Sequence, residues 1–207
     1  MGQFALMKAS FAVRLILASK SPRRKEILEN LGLKFDIIVA DADERSDETD
    51  PKGRVAALAS IKGRAVIETL EYKTDTLVIA SDTLVYAEGE FLGKPRDRED
   101  ARRMIGLLSG RSHSVVSGLY LFYNGKEVMS ADETLVTFDK MTEGEMESYV
   151  GSDEPYDKAG GYAVQGLASL YISGLEGDYF NVVGLPVNLL YKTLKNEFGI
   201  DINALRA

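Results

Sequence analysis

The chain has 207 residues, no cysteine, no tryptophan and one histidine, with 32 Asp and Glu against 25 Lys and Arg for a formal net charge of −7. No cysteine means no disulfide framework, no thiolate-ligated metal and no thiol nucleophile; with His113 alone, a Ser–His–Asp triad has one place to be and a metal must be held mainly by oxygen. The acidic balance argues against coating a polynucleotide, and apolar runs such as Leu15–Ala18 and Leu77–Ala80 are far too short to cross a bilayer.

The opening stretch MGQFALMKASFAVR carries no acidic residue, and Lys8 and Ser10 interrupt its apolar character, so it does not read as a signal peptide. Gly2 is present, but Leu6 stands where myristoylation needs Ser or Thr. Residues 1–13 therefore read as an extension, 14–207 as one α/β domain, and the expected location is cytoplasmic.

Arg14–Ala18 reads as a buried strand running into Ser19-Lys20-Ser21, and Pro22 suits the first turn of a helix that Gly32 ends. Phe35–Val39 reads as a second strand. Six acidic residues follow between Asp41 and Asp50, a stretch expected to be mostly a solvated face. Pro51 opens a long helix to about Leu70. Thr76–Tyr86 is expected as a strand, with a hairpin turn at Glu88-Gly89-Glu90, and Asp97–Ser109 as a helix. Ser112–Tyr123 and Lys126–Phe138 read as strands joined at Asn124-Gly125, a strong hairpin signal. Thr142 and Glu145 form a capping box for a helix to Val150. Gly151–Gly166 reads as loop, Leu167–Ser173 as a strand and Pro186–Phe198 as the last helix. Strands and helices mix without strict alternation, which favours a mixed central sheet flanked by helices.

Several polar residues break their local pattern. On the Pro51–Leu70 helix, Val55, Leu58, Ala59, Val66 and Leu70 form an apolar stripe, and Lys62 falls within it. It is either a lysine snorkelling at the core edge or an ammonium aimed into a cleft that holds an anion. Asp82 lies on the face of its strand that carries Val78, Ala80, Leu84 and Tyr86, where a carboxylate is costly unless paired or bound to metal. It is a candidate general base or metal ligand, with a structural cap as the alternative. Thr83 points to the opposite face.

Ser19-Lys20-Ser21-Pro22-Arg23-Arg24 joins a strand to a helix N-terminus, where free N–H groups, two hydroxyls and several cations suit a phosphate. It lacks the glycine spacing of a Walker A loop. Gly93-Lys94-Pro95 could project the Lys94 ammonium in a fixed direction. The stretch from Glu154 to Gln165 is dense in glycine and polar groups and could approach a ligand with its backbone. His113 reads as a structural strand histidine. Glu44 could reach the edge of the same cleft as Lys62.

Together the segments SKSPRR (19–24), SDTLV (81–85), GKP (93–95), SGRSHSVVSG (109–118), EPYDKAGGYAVQG (154–166) and YFNVVGLP (179–186) resemble the Maf family of nucleotide pyrophosphatases, from about Leu15 to Leu194. The resemblance implies a mixed-sheet α/β fold with two lobes around a deep cleft, related in shape to inosine triphosphate pyrophosphatases. It implies hydrolysis of a nucleoside triphosphate to the monophosphate and pyrophosphate with Mg²⁺, Mn²⁺ or Co²⁺. The segment Ala159–Gly166 fits the branch acting on dTTP and UTP, and modified pyrimidine nucleotides are further candidate substrates in a nucleotide-pool cleaning role.

On this resemblance the general base falls on Asp82, with Lys62 and Lys94 lining the catalytic cleft; by their own chemistry Asp82 and Glu44 are the metal-ligand candidates, and Asp82 could hold the metal, activate water or do both. Ser19, Ser21, Arg23, Arg24, Thr83, Lys158 and Gln165 are the substrate-binding candidates, Arg23 being the first choice among the arginines for specificity. Ser81 departs from the family's usual Gly or Ala. The expected partners are a nucleoside triphosphate and, as an assembly to be tested, a second copy in a homodimer, with no polynucleotide and no membrane. The alternative reading is a non-catalytic nucleotide-binding regulator of cell division or septum formation.

Overall fold

A computed structural model of the chain describes residues 13–206. The proposed 1–13 extension therefore lies, but for Val13, outside the described residues. A seven-stranded mixed sheet runs in the order β2 (Asp36–Ile37), β1 (Arg14–Leu17), β3 (Thr76–Ala87), β5 (Ser112–Tyr123), β6 (Lys126–Phe138) and β7 (Ile172–Glu176), with β4 (Glu90–Leu92) paired to β3. β1 is parallel to β2 and β3, and the other pairings are antiparallel. The helices are α1 (Pro22–Asn30), α2 (Pro51–Thr69), α3 (Arg98–Leu108), α4 (Glu143–Val150), α5 (Tyr179–Val183) and α6 (Val187–Phe198).

Local chemistry explains most boundaries. The β5–β6 turn holds Asn124 at φ 48° and Gly125 at φ 82°, the two left-handed residues that a tight twisted hairpin requires. α4 starts on the expected capping box: the Thr142 side chain accepts from Glu145 N–H and Glu145 accepts from Thr142 N–H at 2.7 Å. α1 and α2 both carry proline in the first turn behind Ser21 and Asp50 caps.

β3 runs through both halves of the molecule. At its first half, Leu77 and Ile79 pack with Leu15, Leu17, α1 and α6 on one face, while Val78 and Ala80 meet α2 on the other. At its far end, Val85 joins a second core with α3, α4, Phe138 and Tyr162. The two lobes thus share one sheet and meet where β3 passes Asp82–Leu84. α2 comes close to the sheet there because Gly118, the cross-strand partner of Asp82, has no side chain; a Cβ at Gly118 would lie 2.1 Å from the Val55 carbonyl oxygen.

The expected strand at Leu167–Ser173 is a correction. Leu167–Leu170 is a 3-10 turn, and the strand begins only at Ile172. The reason is the Glu154 carboxylate, which accepts from the N–H groups of Leu167 at 2.6 Å and Ala168 at 3.1 Å and so starts a helical turn. β2 keeps only the centre of Phe35–Val39, at the sheet edge with Ile37 exposed. α5 was not anticipated as a helix; the Asp178 side chain caps it by accepting from Phe180 N–H at 2.8 Å.

Candidate active site

A cleft of about 720 Å³ opens where the two lobes meet. All of the candidate residues named from the sequence line it: Ser19, Ser21, Arg23, Arg24, Glu44, Lys62, Asp82, Thr83, Lys94, Lys158 and Gln165. They come from six separate stretches of chain, so the fold, not the sequence, makes them one site.

The floor is an ion pair. α2 carries Lys62 and β3 carries Asp82, and the ammonium contacts the Asp82 carboxylate directly, with the Glu44 carboxylate 3.1 Å away on its other side. The Lys62 and Asp82 side chains are only 21% and 13% exposed, whereas Glu44 is 54% exposed at the rim. The lysine in the apolar stripe is therefore aimed inward, as the cleft reading requires.

One wall is the β1–α1 junction. Ser21 caps α1 by accepting from Arg24 N–H, and Ser19 accepts from Ser21 N–H at 3.2 Å. The first turn of α1 has no acidic residue to offset its positive end. Arg24 crosses to the other elements: it donates to the Gly184 carbonyl at 2.8 Å, to Thr83 Oγ1 at 3.1 Å and to Ser19 Oγ at 3.2 Å. Burial lowers its pKa from the ordinary arginine value, and Asp82 partly offsets that. With its guanidinium committed to these bonds, Arg24 acts as the frame of the wall. Arg23 is 31% exposed and faces across the cleft, 3.6 Å from Asp157.

The opposite wall is the stretch from Glu154 to Gln165. The Lys158 ammonium contacts Asp157 and donates to the Glu154 carbonyl at 2.8 Å, so its charge is largely held within the loop. Gln165 is exposed towards the cleft. Lys94 is exposed and, among the described residues, has no ion-pair partner, leaving its charge available to a ligand. Asp157 and the Gly184 carbonyl were missed as site groups. An aspartate next to a lysine in a polar loop carries no distinguishing signal, and a backbone carbonyl leaves no trace in sequence. His113 is buried behind this wall against Tyr162, where burial alone holds its pKa at about 4, in keeping with a structural role and not a triad.

Among the described residues no three His, Asp or Glu side chains converge as a ready-made metal cage. Asp82 and Glu44 nevertheless each meet Lys62 through one carboxylate oxygen, which leaves the second oxygen of each as a hard-oxygen donor at the cleft. Such a pair suits Mg²⁺ or Mn²⁺, which commonly take one or two carboxylates and complete their shell with water and phosphate oxygens.

The arrangement is an α/β cleft with a carboxylate–lysine floor and cationic walls. Its fold is shared with the solved structure of the Staphylococcus aureus Ham1 protein, at TM-score 0.53 and 13% identity, covering 89% of this chain and 99% of that one. The description of Maf-like proteins matches residues 14–197, and the chain belongs to the Maf family. A dTTP/UTP pyrophosphatase of Caldanaerobacter subterraneus subsp. tengcongensis is 44% identical over 190 residues, 91% of each chain. One of Thermoanaerobacter sp. is 43% identical over 92% of this chain and all of its own length, and one of Bacillus anthracis is 43% identical over 91% and 97%. Among the described residues no helix is long and apolar enough to cross a membrane.

Proposed function

We propose that this protein hydrolyses dTTP and UTP to the monophosphate and pyrophosphate. The observation that carries the reading is the Lys62–Asp82 pair on the floor of a cleft whose walls present Arg23, Arg24 and Lys94. A triphosphate brings several negative charges, and these cations concentrate positive charge locally in a chain that is acidic overall. The names of the relatives point to the same substrates.

In this reading the phosphate chain lies along the α1 N-terminus, Arg23 and Lys94. Asp82 takes a proton from the attacking water, whose oxygen bonds to the α-phosphorus as the bond to the bridging oxygen of pyrophosphate breaks. Lys62 holds Asp82 in place and neutralises charge that develops on the phosphate. Asp82 and Glu44 would hold a divalent cation, Mg²⁺, Mn²⁺ or Co²⁺, which supplies charge neutralisation on the phosphate oxygens. No side-chain nucleophile is required.

Gln165 reads the base. Uracil and thymine present an N3–H donor between carbonyl acceptors, and a Gln amide offers a matching acceptor and donor. Modified pyrimidines that keep this edge would be accepted too, which gives the activity a nucleotide-pool cleaning role. Pyrophosphate release from dTTP, UTP, CTP, ATP and GTP, each with Mg²⁺, Mn²⁺ and Co²⁺ and with chelator, tests the reading. Release from dTTP and UTP that chelator abolishes is expected. No release from any nucleotide would favour the non-catalytic regulator.

A further inference from the structure

We propose that His113 and Tyr162 form a positioning pair that fixes the wall segment Gly160–Gln165 and thereby sets where Gln165 meets the base. This rests on the pyrimidine-nucleotide reading above. His113 lies on β5 and Tyr162 lines the cleft, with His113 Nε2 2.7 Å from the Tyr162 hydroxyl. Both residues are buried, at 4% and 6% exposure. The Tyr162 ring stands edge-on to His113 and to Phe138, with centroids 5.4 and 5.0 Å apart. One side of the tyrosine therefore faces the cleft and the other rests on the core.

The backbone just before Tyr162 is already tied down. Gly160 N–H donates to the Gly93 carbonyl at 2.9 Å, beside Lys94, and the Gly161 carbonyl accepts from the Tyr149 hydroxyl at 3.2 Å. A Cβ at Gly160 would lie 2.8 Å from Val85, so the segment sits hard against β3. Beyond it, the next anchor is Glu154 gripping Leu167 and Ala168. Between these anchors Gly166 N–H donates to the Ala163 carbonyl at 3.1 Å, and among the described residues the Tyr162–His113 bond is the one hydrogen bond made by a side chain of residues 162–165.

A neutral imidazole and a phenol carry two polar hydrogens, yet they share one hydrogen bond, and His113 Nδ1 has no partner. An apolar pair of the same shape would leave nothing unpaired and would cost little. What the polar pair adds is a fixed distance between β5 and the segment ending at Gln165.

The test compares wild type, Tyr162→Phe, His113→Phe and His113→Gln as full chains, by pyrophosphate release from dTTP, UTP, ATP and GTP and by thermal unfolding. Tyr162→Phe and His113→Phe are expected to raise KM for dTTP and UTP about tenfold, the factor that about 1.4 kcal/mol represents, with a smaller fall in kcat. Selectivity over ATP and GTP should narrow, and His113→Gln, which keeps a hydrogen-bonding nitrogen, should recover most of KM. Because the chain has a single histidine, its imidazole ¹⁵N signals form one assignable pair, and they should move when wild type is saturated with dTTP. Variants that melt earlier but keep wild-type KM and selectivity overturn the proposal, as do imidazole signals unmoved by saturating dTTP. If His113→Phe does not fold, Tyr162→Phe decides, since it removes one oxygen atom. A wild type that neither binds nor hydrolyses any nucleotide overturns the functional reading, and this inference with it, before any variant is made.

Discussion

Replacing Gly118 by alanine puts a methyl carbon 2.1 Å from the Val55 carbonyl oxygen and 2.7 Å from the Ala56 nitrogen. Ordinary contact begins near 3.4 Å, so the helix must retreat by about 1.3 Å at that point. The obstacle is backbone and cannot rotate away. Gly118 is fully enclosed and pairs across the sheet with Asp82, so the strand cannot yield easily either. Overpacking of this kind costs about 1–3 kcal/mol, and the upper end is expected here. α2 also carries Lys62, two turns beyond Val55, so the same retreat draws the ammonium off the Asp82 carboxylate. A misplacement of about 1 Å can cost about 100-fold in rate. Thermal unfolding and steady-state pyrophosphate release from dTTP measure the two effects separately. A variant that melts within about 1 °C of wild type and turns over at the normal rate refutes the reasoning, because it means α2 is not held at its depth by this contact.

Three further outcomes are expected. Asp82→Asn should keep the fold and nucleotide binding but lose roughly two or more orders of magnitude in turnover, the scale of a general base; near-normal release would remove Asp82 from that role. Gln165→Ala should weaken discrimination between UTP and GTP more than it weakens hydrolysis, so an equal loss on every nucleotide counts against base reading by Gln165. His113 contributes a pH dependence whose sign is fixed: its folded pKa of about 4 lies below the ordinary 6.5, so the unfolded chain takes up the proton first as pH falls. The stability it contributes is full above about pH 6.5 and is lost towards pH 4; between about pH 7 and pH 5 that is on the order of 2 kcal/mol. Tyr162 is the titratable side chain packed against it, and burial pushes that phenol up, so it stays neutral throughout. Denaturant melts should show the stability of wild type falling relative to His113→Gln by about this amount as pH drops across the range, and parallel curves would mean the imidazole is not buried neutral.

What could be read from the sequence was whatever depends on near neighbours or on a broken pattern. Asn124-Gly125 and the Thr142–Glu145 box succeed because their hydrogen bonds close within a few residues. Lys62 and Asp82 stand out because a charge on an apolar face must have a partner, although which partner it has is a matter of how α2 crosses β3. Leu167–Leu170 misled because its apolar run suits a strand, and the Glu154 carboxylate that turns it into a helix lies 13 residues upstream. The role of Arg24 was hidden for the same reason, since its bond to Gly184 spans 160 residues. Lys158 is a substrate-binding candidate in the sequence, and only the fold reveals that Asp157 and the Glu154 carbonyl hold its ammonium.

The continuous sheet that runs through both lobes has a mechanical consequence. Domains joined by a linker can swing apart about a pivot, but lobes that share β3, β5 and β6 can only flex together, as a plank bends. The carboxylate at Asp82 sits near the middle of that plank, between the walls the two lobes supply. Loading a nucleotide should then alter the radius of gyration very little, and the rate of entry should follow the electrostatic pull of the walls, falling as salt is added, with no slow opening step.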